Sequence, residues 1–528
     1  QGATPVQGCR AAGGLGATGR GVLIDMPTPT EGKTIVIGAG AAGLACAQEL
    51  RRRGIEVVVL EASERTGGRI KWDEGNFIPG THIDLGAEFV HGDNNSLFRL
   101  AKERGWAMEE VFTWAQGDGG PLPARGSGGY ARYYLGNEDR MLQWDSQDAD
   151  FVRINEYLGG LSELSPDDTE SDTRTLLQAL PEAGARERAR MLGLVEAGYA
   201  NTAGGALRDM SFAGTCYLER EWEEHDGEGD FRIQGSFRLV AQALAKDLTQ
   251  AGKVKMGWPV TKVDYSAAGG GVHVWSVDGR CERGAHAVVA VPLTVMQDQD
   301  IEFVPALPAA KRKALSLLGM ERAVKLLLKF NRACFPAGLE GVICADCFVP
   351  EFWFRCENLS PQRHACCLCL AVGFATGPFA DRIASMEPEQ ALVAALDQLD
   401  RMFQHATATA EVRGRPASTM SSGQTPPAAA AGAPVPAAPS SSYVEGMVHD
   451  WADEAYVRGG YSYPRPGFTS ATPAAVARPV GDDGDGSDGG SSGGGGNGRV
   501  FFAGEHTNVG AGMTVHAAMD SGLRQVTW

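Results

Sequence analysis

Three glycines near the start of the chain have the spacing of a loop that binds phosphate. Gly38, Gly40 and Gly43 follow the order G-x-G-x-x-G. In such a loop the first glycine permits a tight turn, the second lets the backbone approach a pyrophosphate, and the third lets a helix pack closely on a strand. Glu61 follows about 20 residues later, where a carboxylate can accept hydrogen bonds from ribose hydroxyls. The pattern therefore predicts a dinucleotide site.

The residues around this loop predict the elements that must position it. Ile35–Ile37 is a short β-branched run suited to a buried parallel strand. A helix is expected over Ala42–Arg53, and its N-terminus would offer unpaired N–H groups to the phosphates. A second strand is expected over Val57–Leu60. Because strand, loop, helix, strand and acid stand in register, the pattern favours a nucleotide-binding α/β unit over a merely glycine-rich turn.

Two side chains outside this unit could take part in chemistry. Lys325 lies in an apolar run between Val324 and Leu326, and a buried ammonium group is costly unless its charge is satisfied. His91 is a histidine, the residue type whose side chain ordinarily titrates near neutral pH. The alternatives are a lysine that reaches water from a strand edge and a histidine that serves only as a hydrogen-bonding group.

The segment Glu64–Arg69, which reads Glu-Arg-Thr-Gly-Gly-Arg, resembles a motif of the flavin-containing amine oxidases. The likeness is to the branch that holds polyamine oxidases and lysine-specific histone demethylases. Segments 84–92, 314–330, 451–462, 499–506 and 513–524 resemble the same family, in the family's order. The resemblance implies FAD as the cofactor, and it implies that these residues bind it: Gly38, Gly40, Ala41, Ala42, Gly43, Glu61, Ala62, Arg65, Gly67, Gly68, Arg69, Gly86, Ala87, Glu88, Val260, Trp451, Gly504, Glu505, Thr514 and Val515.

The resemblance also implies roles at the substrate side. Lys325 corresponds to the lysine that holds a water against flavin N5, so it is a predicted catalytic residue. His91 is the second predicted catalytic residue and, with Tyr461, a predicted substrate-binding residue.

Two positions near the C-terminus bear on the cofactor and on the amine. No cysteine lies in 508–513, where the membrane monoamine oxidases attach FAD covalently, so we expect noncovalent FAD. Ala511 stands where the family usually has an aromatic wall for the amine. Trp451, Tyr456 or Tyr461 would then have to replace that wall.

The predicted fold class is α/β, with a Rossmann-like FAD-binding domain of the glutathione-reductase type and an α+β substrate domain of the amine oxidase type. We expect a flexible N-terminal tail over 1–32. The FAD-binding domain is predicted over 33–94, 235–298 and 443–528, and the substrate domain over 95–234 and 299–404. The tracts 405–442 and 470–498 are rich in Ala, Pro, Ser, Gly and Asp, and are predicted to be low-complexity insertions.

Composition narrows the possible partners of the 528-residue chain. A formal charge of −17 argues against nucleic acid, whose phosphates require a basic face, and suits a cationic substrate. No apolar run approaches the roughly 18 residues of a membrane span. These features favour a soluble intracellular protein, of the cytoplasm or an organelle, without fixing the compartment. The family resemblance implies that the substrates are a polyamine and O2.

The number and spacing of the eleven cysteines do not indicate a disulfide framework in a chain of this length. Cys344 and Cys347, followed by Cys366, Cys367 and Cys369, lie partly in an apolar strand-like run, where free cysteine behaves as a small hydrophobic residue. Core thiols are expected, and no metal.

The predicted activity is FAD-dependent amine oxidation. The favoured reaction is a polyamine oxidase reaction on spermine-like or spermidine-like amines, which would release aldehyde, amine and H2O2. Alternatives are a histone-lysine demethylase, which would normally add a long helical hairpin and a small helical domain, another amine or amino-acid oxidase, or a flavin-binding protein with little turnover.

Overall fold

A computed structural model of the chain describes residues 32–111, 130–142, 148–266, 271–332, 334–336, 338–358, 367–412, 438–481, 498–510 and 512–526. The structural statements below concern those residues. The predicted N-terminal tail, apart from residue 32, lies outside them. Most of the two predicted insertions and Ala511 also lie outside.

The strands run in chain order as follows: β1 (Thr34–Ile37), β2 (Val57–Leu60), β3 (Phe89–His91), β4 (Met108–Val111), β5 (Tyr130–Leu135), β6 (Arg140–Leu142), β7 (Asp230–Ile233), β8 (Val254–Lys255), β9 (Val260–Asp264), β10 (Val272–Ser276), β11 (Cys281–Gly284), β12 (His286–Val289), β13 (Glu302–Val304), β14 (Leu318–Met320), β15 (Ala323–Phe330), β16 (Leu339–Ala345), β17 (Glu351–Asn358), β18 (Cys367–Thr376), β19 (Tyr443–Asp450), β20 (Ser462–Pro464) and β21 (Val500–Phe502).

The α-helices are α1 (Ala41–Arg52), α2 (Ser96–Glu103), α3 (Ala149–Gly159), α4 (Pro166–Thr169), α5 (Leu176–Ala179), α6 (Ala185–Val195), α7 (Phe212–His225), α8 (Arg238–Gln250), α9 (Leu293–Gln297), α10 (Ala309–Ser316), α11 (Gly377–Ala384), α12 (Pro388–Val412), α13 (Ala471–Ala477) and α14 (Val515–Arg524). A π-helical turn, Glu196–Ala200, continues α6, and short 3₁₀ turns form at Pro439–Ser442, Trp451–Asp453 and Glu505–Thr507.

A five-stranded parallel sheet of order β21-β12-β1-β2-β8 carries the glycine loop. Its central strand, β1, is buried throughout, because one face packs with residues of α1 and α8 and the other with residues of β9 and β10. The sheet draws its strands from three separate stretches of chain. These stretches fall within 33–94, 235–298 and 443–528.

The two ends of the described chain meet against this sheet, because α14 packs on α1. The contact is close enough that a Cβ on Gly522 would lie 2.1 Å from the carbonyl oxygen of Ala42. The C-terminal motif is therefore brought beside the N-terminal glycine loop.

A seven-stranded sheet of order β19-β15-β18-β17-β16-β5-β6 forms the second layer. Every residue of β15 is buried, which explains its run of Val and Leu. β19 pairs with β15 along its whole length. The sequence-based assignment of 443–450 to the FAD-binding domain is therefore wrong, since these residues extend the other sheet.

One row of residues crosses this second sheet from strand to strand. Lys325 pairs with Phe374, Phe374 with Glu351, Glu351 with Ile343, and Ile343 with Tyr133. Residues paired directly across neighbouring strands present their side chains on the same face of the sheet. All five line the same cavity.

Three smaller sheets complete the fold: β3-β7-β4, β14-β20 and β11-β10-β9-β13. The first of these sets His91 opposite Asp230 in the register of β3 and β7. Residues 219–230 are rich in Glu and Asp, and their last residue, Asp230, is thereby placed beside His91.

Several local expectations need correction. α12 continues to Val412 and α13 forms at Ala471–Ala477, so ordered structure extends into both predicted insertions. Cys344 and Cys347 are buried free thiols, but Cys369 is disulfide-bonded. The prediction of core thiols is therefore wrong for Cys369.

Among the described residues, no helix combines the length and the apolar character that a membrane crossing requires. Within the same residues, no group of three His, Cys, Asp or Glu side chains is placed to hold a metal ion.

The core between the seven-stranded sheet and α12 offers a test of the packing. Leu326 on β15 is fully buried, so Leu326→Ala is expected to lower the free energy of unfolding by about 2–5 kcal/mol through lost contacts and a cavity. Denaturant unfolding followed by circular dichroism would measure it. Val393→Ala on α12 is the control, because Val393 is 57% exposed and the change should stay within about 0.5 kcal/mol. Equal losses for the two variants would contradict this packing.

Candidate active site

A cavity of about 970 Å³ lies between the two large sheets. That volume is at the upper end of the roughly 300–1,000 Å³ found for ligand sites. The predicted site residues that line it are Gly38, Gly40, Ala41, Ala42, Glu61, Ala62, Arg65, Gly67, Gly68, Arg69, Gly86, Ala87, Glu88, His91, Val260, Lys325, Trp451, Tyr461, Gly504, Glu505, Thr514 and Val515. Gly43 does not line it.

The glycine loop leaves its backbone open to the cavity. Gly38 has φ +104° and faces Ala290, whose oxygen would lie 2.5 Å from a Cβ on Gly38. Gly40 has nothing within 4 Å of such a Cβ, so space remains there for a ligand. A Cβ on Gly43 would lie 2.1 Å from the oxygen of Gly38, and this residue therefore serves the packing of α1 on β1. No side chain caps α1, which leaves its first N–H groups available to an anion.

Glu61 stands at the end of β2 and is held by backbone and hydroxyl donors. Its Oε2 accepts a hydrogen bond from the Ala39 N–H at 2.7 Å, and its Oε1 accepts from the N–H and Oγ of Ser63 at 2.9 and 2.7 Å. The carboxylate is thus fixed at the edge of the cavity, where the fingerprint places a ribose-binding acid.

An ion pair between partly buried Arg69 and buried Glu505 joins the N-terminal and C-terminal motifs. The Arg69 guanidinium donates to Glu505 Oε1 at 2.8 Å and to the Gly460 carbonyl at 3.0 Å, and the Ser462 hydroxyl donates to Glu505 Oε2 at 2.5 Å. Burial opposes ionisation of Glu505, but the charges of Arg69 and His506 and the hydrogen bond from Ser462 together outweigh it and hold the pKa of Glu505 below its ordinary value.

The C-terminal helix also points its start toward the cavity. Thr514 caps α14 by accepting a hydrogen bond from the Ala517 N–H at 3.1 Å. The partial positive charge of this helix N-terminus lies where Thr514 and Val515 line the cavity, and it favours a ligand that gains negative charge.

Lys325 is the most heavily engaged side chain of the site. It is 2% exposed, and its Nζ donates to the carbonyl oxygens of Asp84 and Gly86 at 3.0 and 2.9 Å and to Glu88 Oε2 at 3.0 Å. An ammonium group has three donors, and protein acceptors take all three. The water contact that the family resemblance implies would therefore require one of these bonds to open.

Glu88 was predicted only as a cofactor contact, and the structure places it in an ion-pair network. Besides Lys325 it meets Arg232, whose Nε lies 3.3 Å from Oε1. Burial raises the pKa of Glu88, but the charges of Lys325 and Arg232 outweigh burial and bring that pKa down to about 2. Glu88 is therefore an anion at any physiological pH.

His91 forms a hydrogen-bonded pair with Asp230 at the other side of the cavity. Its Nδ1 lies 2.6 Å from Asp230 Oδ1, and its side chain is 45% exposed. Burial within the cavity acts to lower the pKa of His91, but the hydrogen bond and charge of Asp230, with further carboxylates nearby, raise it above its ordinary value. Trp222 stacks on the ring, with centroids 6.4 Å apart.

Several lining residues were not singled out in the sequence. They include Tyr133, Thr202, Trp222, Asp230, Glu351, Trp353 and Phe374. Trp222 and Asp230 lie in residues 219–230, whose acidic composition is typical of a solvated loop. The others lie on β-strands or turns that carry no motif. No sequence motif predicts that these residues line a ligand site, because it is the folding of separate parts of the chain that brings them to the cavity.

The aromatic wall that Ala511 would not supply has candidates among the described residues. Trp451 is buried and donates from its indole nitrogen to the Leu85 carbonyl at 3.0 Å. The Tyr461 hydroxyl donates to the Thr202 carbonyl at 2.5 Å, and Tyr456 is 44% exposed. All three line the cavity. Since Ala511 lies outside the described residues, its replacement by one of these rings stays a prediction.

Comparison with known proteins gives the family. The family model described as flavin containing amine oxidoreductase matches residues 41–527. The chain belongs to that family, and the resemblance found in the sequence is confirmed. FAD is its cofactor, and the open backbone at Gly40, the uncapped start of α1 and the acid at Glu61 fit it.

Individual relatives are distant. Lysine-specific histone demethylase 2 of Homo sapiens is 25% identical over 518 residues, a match that covers 93% of this chain and 53% of that protein. Polyamine oxidase 2 of Arabidopsis thaliana is 26% identical over 501 residues, which covers 93% of this chain and 86% of the other. The chain thus spans about half the length of the demethylases it matches.

Solved structures share the fold. Cyclohexylamine oxidase from Brevibacterium oxydans IH-35A superimposes with a TM-score of 0.68 at 20% identity, covering 94% of this chain and 97% of the other. Putrescine oxidase with putrescine bound gives a TM-score of 0.68 at 18% identity, covering 94% and 98%. The predicted fold class is confirmed.

The two glycines of the loop should respond differently to one added methyl group. Gly40→Ala places a Cβ in the space left for the ligand, so FAD affinity should fall roughly 5- to 150-fold, as expected of an overpacking cost of about 1–3 kcal/mol, while the apoprotein keeps its stability. Gly43→Ala drives a Cβ into the Gly38 carbonyl and should destabilise the apoprotein itself. Flavin fluorescence titration and thermal unfolding of apoprotein measure the two effects. Loss of apoprotein stability in Gly40→Ala would contradict the assignment.

The His91–Asp230 pair predicts a pH effect. Because the pKa of folded His91 is raised, the pair stabilises the fold fully at low pH, and this contribution is lost as pH rises through that pKa. Asp230→Asn should therefore lower the pKa of His91, measured by NMR titration of its ring signals. The signals of His225, which is 59% exposed and lies 3.6 Å from Glu221, serve as the control. An unchanged His91 titration would exclude Asp230 as the cause.

Proposed function

We propose that this chain is an FAD-dependent oxidase of amines that carry more than one nitrogen, of the spermine and spermidine type. When bound, FAD accepts a hydride from the carbon next to a substrate nitrogen, and after reoxidation by O2 and hydrolysis by water the products are an aldehyde, a shorter amine and H2O2. The family match supports the reaction class. The choice of substrate rests on the cavity.

The observation that carries this choice is the state of the cationic side chains in the cavity. Lys325 is fully engaged by two carbonyls and Glu88, Arg69 by Glu505 and the Gly460 carbonyl, and Arg458 by Asp298 and Asp300. These three cations already have anionic partners, and a fourth lining cation, Arg65, donates to the Ile70 carbonyl at 3.2 Å and lies 3.8 Å from Glu454. A substrate carboxylate would compete for them, which favours an amine over an α-amino acid.

The walls of the cavity support the chemistry of a neutral amine. A free amine of this type has a pKa near that of lysine, about 10.4, and must lose a proton before it can give up a hydride. Trp353 and Phe374, stacked with centroids 5.2 Å apart, belong to a lining that excludes water, and removal from water lowers the pKa of an amine that has no anionic partner. His91 is within the same cavity and can hydrogen-bond that nitrogen.

A second candidate is demethylation of a methylated lysine in a peptide. It is favoured by the similarity to the human protein named lysine-specific histone demethylase 2. Both reactions break a carbon–nitrogen bond next to a cationic chain, so the cavity by itself accommodates either.

Anaerobic mixing of the purified holoprotein with candidate amines separates these functions. Bleaching of the flavin absorbance by spermine or spermidine supports the polyamine proposal, and bleaching by a dimethyl-lysine peptide alone supports the demethylase. Bleaching by n-butylamine alone indicates a monoamine oxidase. If no amine bleaches a correctly loaded flavin, the protein is not an amine oxidase.

Lys325 provides a test of the predicted catalytic role. Lys325→Met should slow flavin reduction or reoxidation at least about tenfold, because a cation near the cofactor stabilises the negative charge of its reduced form. Stopped-flow absorbance measures both half-reactions. Lys329→Met is the matched control, since Lys329 is also buried on β15 but bonds to the Phe77 carbonyl and pairs with Glu445 outside the cavity.

The Lys325 variant also leaves Glu88 without its nearest cation. The double variant Lys325→Met with Glu88→Gln removes that unpaired charge and keeps the test interpretable if FAD binding suffers in the single variant. Turnover equal to that of the wild type in either variant, with FAD bound, would remove Lys325 from the mechanism.

A further inference from the structure

Glu351 occupies an unusual position on the floor of the cavity. It lies in the same cross-sheet row as Lys325, separated from it by Phe374 on the strand between. Neighbouring strands lie about 4.8 Å apart, so Glu351 is roughly 10 Å from Lys325 along the sheet. A ligand that extends along the sheet from Lys325 therefore reaches Glu351.

The carboxylate of Glu351 is buried among neutral donors. The residue is 8% exposed. Its Oε1 accepts from the Trp353 indole N–H at 2.8 Å, and its Oε2 accepts weakly from Thr202 Oγ1 at 3.3 Å and Asn201 Nδ2 at 3.4 Å. These bonds fix the orientation of the carboxylate without neutralising its charge.

Among the described residues, no lysine, arginine or histidine lies within salt-bridge distance of Glu351. The other two carboxylates at this end of the cavity differ, since Glu88 is paired with Lys325 and Arg232 and Asp230 with His91. Burial, and to a smaller degree the charge of Asp230, raises the pKa of Glu351 to about 7, so the group is only partly ionised near neutral pH and ionises fully when a cation pairs with it. A carboxylate that is buried, oriented and unneutralised at a ligand cavity is suited to a cation supplied by the ligand.

The rings around Glu351 suit the same ligand. Trp353 and Phe374 are stacked beside it, and Tyr133 and Tyr461 line the cavity nearby. Aromatic faces attract alkylammonium groups, and the attraction grows as water is excluded. The surface here is therefore complementary to a ligand that has both methylene groups and an ammonium group.

We infer that Glu351 binds the second, non-reacting ammonium group of the substrate and so sets the preference of this chain for di- and polyamines over monoamines. This inference rests on the proposed function, and it adds a specificity-determining residue to that function. Glu351 does not contact the reacting carbon. Its effect should be on substrate binding.

The experiment uses the holoprotein with Glu351→Gln, which keeps the shape of the side chain and can still accept hydrogen bonds. The KM for spermidine should rise about 10- to 100-fold, the range expected for loss of a hydrogen bond to a charged group, while kcat at saturation falls much less. The KM for n-butylamine should change less than about threefold. Where an amine is not oxidised, its competitive inhibition constant against spermidine replaces KM.

Two further variants separate charge from structure. Glu351→Asp keeps the charge and should retain most of the preference for spermidine. Glu302→Gln removes one negative charge from an exposed position on β13, outside the cavity, and should leave both amines unaffected. Flavin absorbance and thermal midpoints establish that each variant is folded and loaded.

The outcomes distinguish this inference from the proposed function. A wild-type protein that oxidises no amine overturns the proposed function itself. A wild-type protein that handles n-butylamine as well as spermidine, or a Glu351→Gln variant that weakens both amines equally, overturns the inference while amine oxidation stands. A spermidine-selective loss in Glu351→Gln, restored in Glu351→Asp, supports it.

Discussion

The architecture of the cavity depends on the burial of one ammonium group, that of Lys325. The lysine comes from β15, the second strand from one edge of the seven-stranded sheet, and its three acceptors all come from the short segment Asp84–Glu88. A charge buried this deeply is costly unless all its donors are satisfied. The two layers can satisfy them in one relative position, so this contact sets how the layers meet.

The same segment is anchored from its other side. The Asp84 carboxylate accepts from the Ser236 hydroxyl at 2.7 Å and from the Phe237 N–H at 3.0 Å, at the start of α8. Burial and the nearby charge of Glu88 raise the pKa of Asp84 to about 7, although both hydrogen bonds oppose this. The Asp84–Glu88 segment thereby links α8, which packs on the parallel sheet, to β15 of the seven-stranded sheet.

The two ends of the cavity carry different groups. Near the glycine loop, the uncapped start of α1 offers N–H groups that suit phosphates, beside the Glu61 carboxylate and the Arg69–Glu505 ion pair. At the substrate end, Asp230 and Glu351 stand among aromatic rings. The two ends therefore offer a ligand different groups, and Glu351 is held on a strand whose position is set by its pairing with β18.

The sequence by itself determined the cofactor unit. Its loop, helix and strands depend on local backbone requirements, such as φ > 0 at Gly38 or absence of a side chain at Gly40, and local requirements are legible in residue type and spacing. The predicted helix over Ala42–Arg53 differs from the observed α1 by one residue at each end. The resemblance then carried the same reasoning to the C-terminal motif.

Only the tertiary structure decided the substrate end. Asp230 is 139 residues from His91, and Glu351 reaches the row of Lys325 through Phe374. β19 likewise joined a sheet that its position in the chain did not indicate. Strand register decides which of these residues become neighbours. Many weak contacts between distant parts of the chain determine that register together, so the sequence around one residue does not indicate its partner.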